Sequence, residues 1–178
     1  MSDYSSCVST ASYNLSCLSS VGGLRRAFLF TNVTGITETA GEITSIDGSG
    51  SAYTFELRKN GGSSLTETIN NSLENGTLYY QQDAVLVFHK LDTAIRNQIK
   101  LLAQNRGIKV AIEDNNGSIF FMGEDFDGGY LSAGSAATGV SFGDSSQYSI
   151  TLSAFSTDPM MKLDDTLANV VSGITIVA

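Results

Sequence analysis

The chain has no tryptophan, one histidine, one proline and two cysteines among its 178 residues. Each scarcity removes a class of function. A lone histidine, His89, with no Cys-x-x-Cys pair, cannot supply the usual nitrogen-and-sulfur zinc set. Nor can nucleophile, base and orienting acid be assembled around it. His89 abuts an apolar run, a position that suits a structural role. "GSGS" at 48–51 lacks the Gly-x-Ser-x-Gly register of a nucleophile elbow, and no P-loop or Gly-x-Gly-x-x-Gly fingerprint occurs. Carboxylate pairs alone could still do acid–base chemistry, but the expectation is a non-enzyme with no cofactor and no metal.

Long apolar runs are missing too. Nothing approaches about 18 consecutive apolar residues, so no membrane span is expected. The opening "MSDYSSCVSTASYNLSC" lacks the basic and apolar regions of a secretory signal. In that context Cys7 and Cys17 read as free thiols rather than a bridge. The Asn-x-Ser/Thr matches at Asn14, Asn32, Asn70, Asn75 and Asn116 read as chance. Bases are scarce: 10 Lys and Arg against 18 Asp and Glu give a net charge of −8. That balance argues against gripping nucleic acid by its phosphates. It is compatible with a surface that DNA passes without sticking.

What is present is glycine, 18 of them, with abundant Ser, Thr and Asn. Such turn-forming residues between short apolar segments suit a β-rich protein. Residues 1–22 read as a flexible N-terminal arm. A first strand is expected at Ala27 to Phe30, and at most one short strand around Ile43 and Ile46, ended by a turn at Asp47-Gly48. "AYTFELRK" alternates, with Tyr53, Phe55 and Leu57 on one face. "SSLTETIN" and "TLYYQQDAVLVFHK" flank Asn75-Gly76, a hairpin signal, and make residues 63–88 one extended hairpin with a polar tip.

"HKLDTAIRNQIKLLAQNRG" is the one convincing helix, over 91–106. Leu91, Ala94, Ile95, Ile99, Leu101 and Leu102 share a broad face, opposite Arg96, Lys100 and Gln104. Asp92 is placed as N-cap and Gly107 as the residue just past the C-terminus. "GIKVAIEDNNGSIFFMG" reads as a second hairpin with Asn116-Gly117 at its tip. "GEDFDGG" gathers Glu124, Asp125 and Asp127, but its spacing does not continue into a calcium loop, and a solvated acidic turn is expected. A Gly-rich loop holds a short strand near Tyr130. "QYSITLSAFS" is the last strong strand, ended by Pro159, and residues 164–178 form an apolar C-terminal arm. The fold class expected is α+β, predominantly β: two packed antiparallel sheets or a barrel, with one amphipathic helix.

The order of these elements, over 23–163, resembles that of bacteriophage tail tube proteins and of related tail and baseplate proteins. "GIKVAIEDNNG", a glycine-bounded strand and then "GDSSQYSITL" are also similar to small virion proteins from phages of Bacteroidetes-type hosts. The resemblance implies a virion structural protein, assembled in the host cytoplasm, that forms homo-hexameric rings stacked into a tail tube. In such tubes the subunits' inner sheets join into one barrel around a channel. DNA passes through that channel without specific binding. Sheath, baseplate and tape-measure proteins are the further partners implied. On this basis the ring or subunit interface is expected at the hairpin tip (Leu73, Glu74, Asn75, Gly76, Thr77) and in the tail (Val170, Val171, Ile174, Ile176). Arg96 and Lys100 are expected on the outer wall, facing a sheath or neighbour, leaving an acidic lumen. A baseplate, neck or terminator ring protein is the alternative within the class. A carbohydrate-binding adhesive β-sandwich is the alternative outside it; the absent Trp counts against it and the seven Tyr for it.

Overall fold

The computed structural model describes residues 11–13 and 18–178. Cys7, Cys17 and the greater part of the expected N-terminal arm lie outside the described residues. The elements are β1 (Leu24–Phe30), β2 (Val33–Thr39), β3 (Glu42–Glu56), β4 (Ser64–Ser72), β5 (Thr77–His89), α1 (Thr93–Gln104), β6 (Lys109–Asp114), β7 (Ile119–Met122), β8 (Tyr130–Ala137), β9 (Gln147–Ser156), β10 (Lys162–Leu163), α2 (Leu167–Val170) and β11 (Val171–Val177). Strand outweighs helix by 55% to 10%, so the class is α+β and mostly β.

Seven strands form one sheet and four form another. In the larger sheet β1 pairs β6, β6 pairs β7, β7 pairs β10, β10 pairs β3 and β3 returns to β1. Five strands thus close on themselves, while β2 and β11 flank β3. The expectation of purely antiparallel sheets is corrected here, because β10 and β11 both run parallel to β3. The smaller sheet is antiparallel throughout, in the order β4-β5-β9-β8.

The closed strands are apolar on both faces, which is why the alternation of "IKVAIED" divides between two cores. Phe28, Phe30, Ile43, Ile46, Ala111 and Phe121 gather in one core with Leu163, Leu167 and Val170. Ala27, Leu29, Val110, Ile112 and Met122 face the other, against Ala84, Leu86, Phe88, Ile150 and Leu152 of the smaller sheet. A β-bulge after Leu24 brings Arg25 and Arg26 opposite Glu113, which is buried. Its carboxylate lies 3.3 Å from Arg25 and 2.7 Å from Arg26. The Arg26 guanidinium also lies 5.6 Å from the centre of the Phe28 ring.

Four details correct the sequence expectations. β3 does not end at Asp47-Gly48 but runs 15 residues through it. Gly48 is needed for space, since a Cβ there would collide with the Asn32 carbonyl and the Ile174 side chain. The turn is instead Ala40-Gly41, both at positive φ (57° and 86°), and it creates a β2–β3 hairpin that the sequence did not announce. Gly107 is no left-handed cap: α1 ends with Asn105 in extended backbone, donating its N–H to the Leu102 carbonyl. A Cβ at Gly107 would meet the Asp127 carbonyl oxygen at 2.9 Å. The C-terminal segment is no separate arm, because Val170 is buried and β11 pairs with β3 of the same chain. It also contains a second, short helix, α2.

α1 is capped as expected, with Asp92 accepting from the Ala94 N–H at 3.4 Å. Its apolar face is shallowly seated. Ile95, Ile99 and Leu102 pack on the core shared with the smaller sheet, while Leu101 stays 61% exposed and no residue of the helix is buried. Val21 and Gly22, the last residues of the expected arm, are pinned by Asn116 and Asn115 in the β6–β7 turn.

Candidate functional site

The smaller sheet buries one face and leaves most of the other open, Val87 and Ser153 excepted. On β5, Gln82, Ala84, Leu86 and Phe88 point to the core, so Tyr79, Gln81, Asp83 and Val85 point away. Register carries that open face across the sheet. Thr66 and Thr68 of β4 stand opposite Asp83 and Gln81, and Ser149, Thr151, Ser153 and Phe155 extend it along β9. The hydroxyls and amides there bond one another: Ser153 donates to Asp83 Oδ1, Gln81 donates to Asp83 Oδ2 at 2.9 Å, and Ser132 and Ser153 Oγ lie 2.8 Å apart. These four strands carry no Lys or Arg. Their acids are Glu67 and Asp83, and Glu67 instead accepts the Met160 N–H at 2.6 Å. The open face is therefore hydroxyl-rich with one carboxylate.

Both edges of this sheet, β4 and β8, lack a strand partner among the described residues. A full eight-residue β8 replaces the short strand expected near Tyr130. Successive antiparallel pairings make β4 and β8 run in opposite directions. An unpaired edge presents free N–H and C=O groups to any strand that can align with it.

The two ends of the sheet differ. At one end the β4–β5 hairpin projects beyond β9, whose last partner is Tyr80. Leu73, Glu74, Asn75, Gly76 and Thr77 are all exposed at its tip, with Gly76 at φ 63°. Beside it Asp125 accepts from the Ser156 and Thr157 hydroxyls and the Thr157 N–H, each at 3.0 Å. These bonds, the Thr157 N–H foremost, hold the Asp125 carboxyl below its ordinary range. Burial, then the neighbouring Asp125, Glu38 and Asp158, push Glu124 up. "GEDFDGG" is thus a structural tie, and among the described residues no group of three or more His, Cys, Asp or Glu could hold a metal.

At the other end, His89 is exposed on a rim with Arg58, Ser145 and Gln147. The β8–β9 loop, 138–146, projects there. Asp144 Oδ2 accepts the Val140 and Ser141 N–H groups at 2.8 and 2.7 Å, which pull its carboxyl down and fix the loop. Val140 and Phe142 are left fully exposed. The sequence reading missed them, because an apolar residue in a Gly/Ser loop looks the same exposed or buried.

The expected interface residues do not form one patch. The hairpin tip belongs to the smaller sheet, whereas Val170, Val171, Ile174 and Ile176 lie along β3 of the larger one. Val171 and Ile174 are partly buried on the core around Phe121, and Ile176 is 38% exposed. Arg96 and Lys100 are exposed on α1, and the Arg96 guanidinium donates to the Asn97 amide oxygen at 3.4 Å. No helix among the described residues is long and apolar enough to cross a membrane. No known protein-family model matches the chain, and no curated protein matches its sequence.

Proposed function

We propose that this chain is a structural virion protein that self-assembles through its four-stranded sheet into rings stacked as a phage tail tube, the conduit for DNA ejection. The observation that carries this reading is that sheet: open at both edges, half-buried, and without Lys or Arg on any strand. Four strands of alternating direction favour ring closure. When β8 of one copy meets β4 of the next around a rotation axis, the new pair is again antiparallel, and both edges of this sheet are used. The hydroxyl-rich face then lines the channel. With Asp83 as its one acid and no Lys or Arg on its strands, it offers phosphates little to neutralise them, so DNA slides. Arg96 and Lys100 are exposed on α1, available to a sheath or neighbour.

Electron microscopy and native mass spectrometry of the purified protein test this. Rings or hollow tubes are the expected result, and a stable monomer at high concentration overturns it. Rings that never stack would move the assignment to a baseplate, neck or terminator component. One feature favours a carbohydrate-binding module instead. Tyr79, Phe155 and Tyr130 form an aromatic row on the open face, with centroids 5.9 and 6.5 Å apart. Glycan-array binding abolished by Tyr79→Ala and Tyr130→Ala would decide for that alternative.

A further inference from the structure

The two ends of the smaller sheet complement each other. The hairpin end carries three exposed apolar side chains on an otherwise polar tip, with Leu73 94%, Ile69 64% and Leu78 52% exposed. Glu74 sits in that tip, and Asp125 and Asp158 lie beside the adjoining end of β9. The loop end carries Val140 and Phe142, fully exposed on a loop that Asp144 holds rigid. Two bases stand near it, since Lys90 donates its backbone N–H to the Ser146 carbonyl and Arg58 shares a rim with His89 and Ser145, while the loop's own acid, Asp144, is bonded to the Val140 and Ser141 N–H groups. Apolar surface flanked by bases at one end thus matches apolar surface flanked by acids at the other. The ends are held apart by β5, whose 13 residues span about 40 Å.

From this we infer that the occupant of each end is a second copy of this chain. The β8–β9 loop, through Val140 and Phe142, seats against the β4–β5 hairpin tip of the next copy, and the copies repeat head to tail along the strand direction. Such an interface joins two different patches of identical molecules, so it does not terminate at a dimer. The inference rests on the tube assembly proposed above and names the partner surface of its hairpin. Preorganisation fits this role. Asp144 and Gly139, at φ 75°, order the loop before contact, so little conformational freedom is lost on docking.

Photo-crosslinking tests it with the full chain carrying Phe142→p-benzoylphenylalanine. Crosslinks are expected to residues 69–78 of another copy, and the length of β5 rules out their forming within one. In parallel, Val140→Ser with Phe142→Ser should leave rings intact but reduce stacking at least tenfold, with an unchanged circular dichroism spectrum. Mixing that variant with Leu73→Ser/Leu78→Ser should give ring pairs and no longer stacks. Crosslinks between two β8–β9 loops, or wild-type stacking by the Val140→Ser/Phe142→Ser variant, overturn the inference and leave the tube standing. A wild-type chain that stays monomeric overturns both.

Discussion

The two sheets of this molecule solve opposite problems. The larger one closes five of its strands into a ring and buries side chains on both faces. It also holds the only ion pairs among the described residues, Arg25 and Arg26 with Glu113. The smaller sheet buries one face, leaves two edges unpaired among the described residues and carries no Lys or Arg. A closed, doubly buried sheet is satisfied by its own chain. An open, half-buried one with unused backbone groups is completed by something outside it. The contrast separates residues that hold the subunit together from residues that present it to neighbours, and substitutions on either side should separate the same way.

Core truncation should have the largest effect. Phe121 is 2% exposed and packs 5.8 Å from the Phe30 ring, so Phe121→Ala should cost about 3–5 kcal/mol by urea unfolding. Thr151→Ala, on the open face, should change stability by no more than about 0.5 kcal/mol. Equal losses would abolish the distinction. Glu113→Gln comes next. It strips the charge from a buried acceptor of two arginines, but their side chains are 58% and 37% exposed and remain solvated. The expected loss is about 1–3 kcal/mol, below that of a fully buried pair. A single Arg25→Gln should cost less than Arg26→Gln, since Arg25 is the more distant and more exposed partner.

Asp125→Asn should cost about 1–2 kcal/mol, through weakened bonds to Ser156 and Thr157. Its sign with pH follows from the depressed carboxyl. The contribution is present above the ordinary aspartate value of 3.8 and is lost as pH falls below that, through the folded-state value. Glu124 runs the other way: its raised carboxyl favours folding most at low pH, and that advantage disappears as pH climbs past 4.5 through the folded value. Urea midpoints between pH 2.5 and 6 should therefore show a shallower acid slope for Asp125→Asn than for the wild type. Parallel slopes would mean that the Thr157 N–H bond does not form.

How much of this was legible in sequence divides along the same line. The hairpin was visible from alternation and Asn75-Gly76, and its strands, 64–72 and 77–89, match the expected 63–88 closely. The cap at Asp92 was equally local. β8 was nearly invisible because Tyr-Leu-Ser-Ala-Gly-Ser-Ala-Ala has little intrinsic strand preference; pairing with β9 makes it a strand. The path of β3 through Gly48 and the closure through a two-residue β10 depend on contacts far apart in the chain. One signal of the candidate site was present and unread. No Lys or Arg occurs between Lys59 and Lys90, nor between Lys109 and Lys162, and all four open-sheet strands fall in those two intervals.

The smallest expected change in stability is also the sharpest test of what the open edges do. Lysine on an edge strand discourages pairing with another strand while remaining solvated in the free subunit. Thr66 on β4 and Ser135 on β8 are exposed. Thr66→Lys and Ser135→Lys should each alter the unfolding free energy by no more than about 0.5 kcal/mol. If β4 and β8 join neighbouring copies, both should nevertheless reduce ring formation in native mass spectra severely. The control lies on the other sheet. Among the described residues β2 pairs only with β3, so Thr37→Lys places the same charge on an exposed residue of another edge strand. It should leave stability and rings as they are. Rings lost equally in all three would mean that added charge, rather than edge pairing, governs association. Rings lost only in the first two would locate assembly on the sheet that its own chain leaves unfinished.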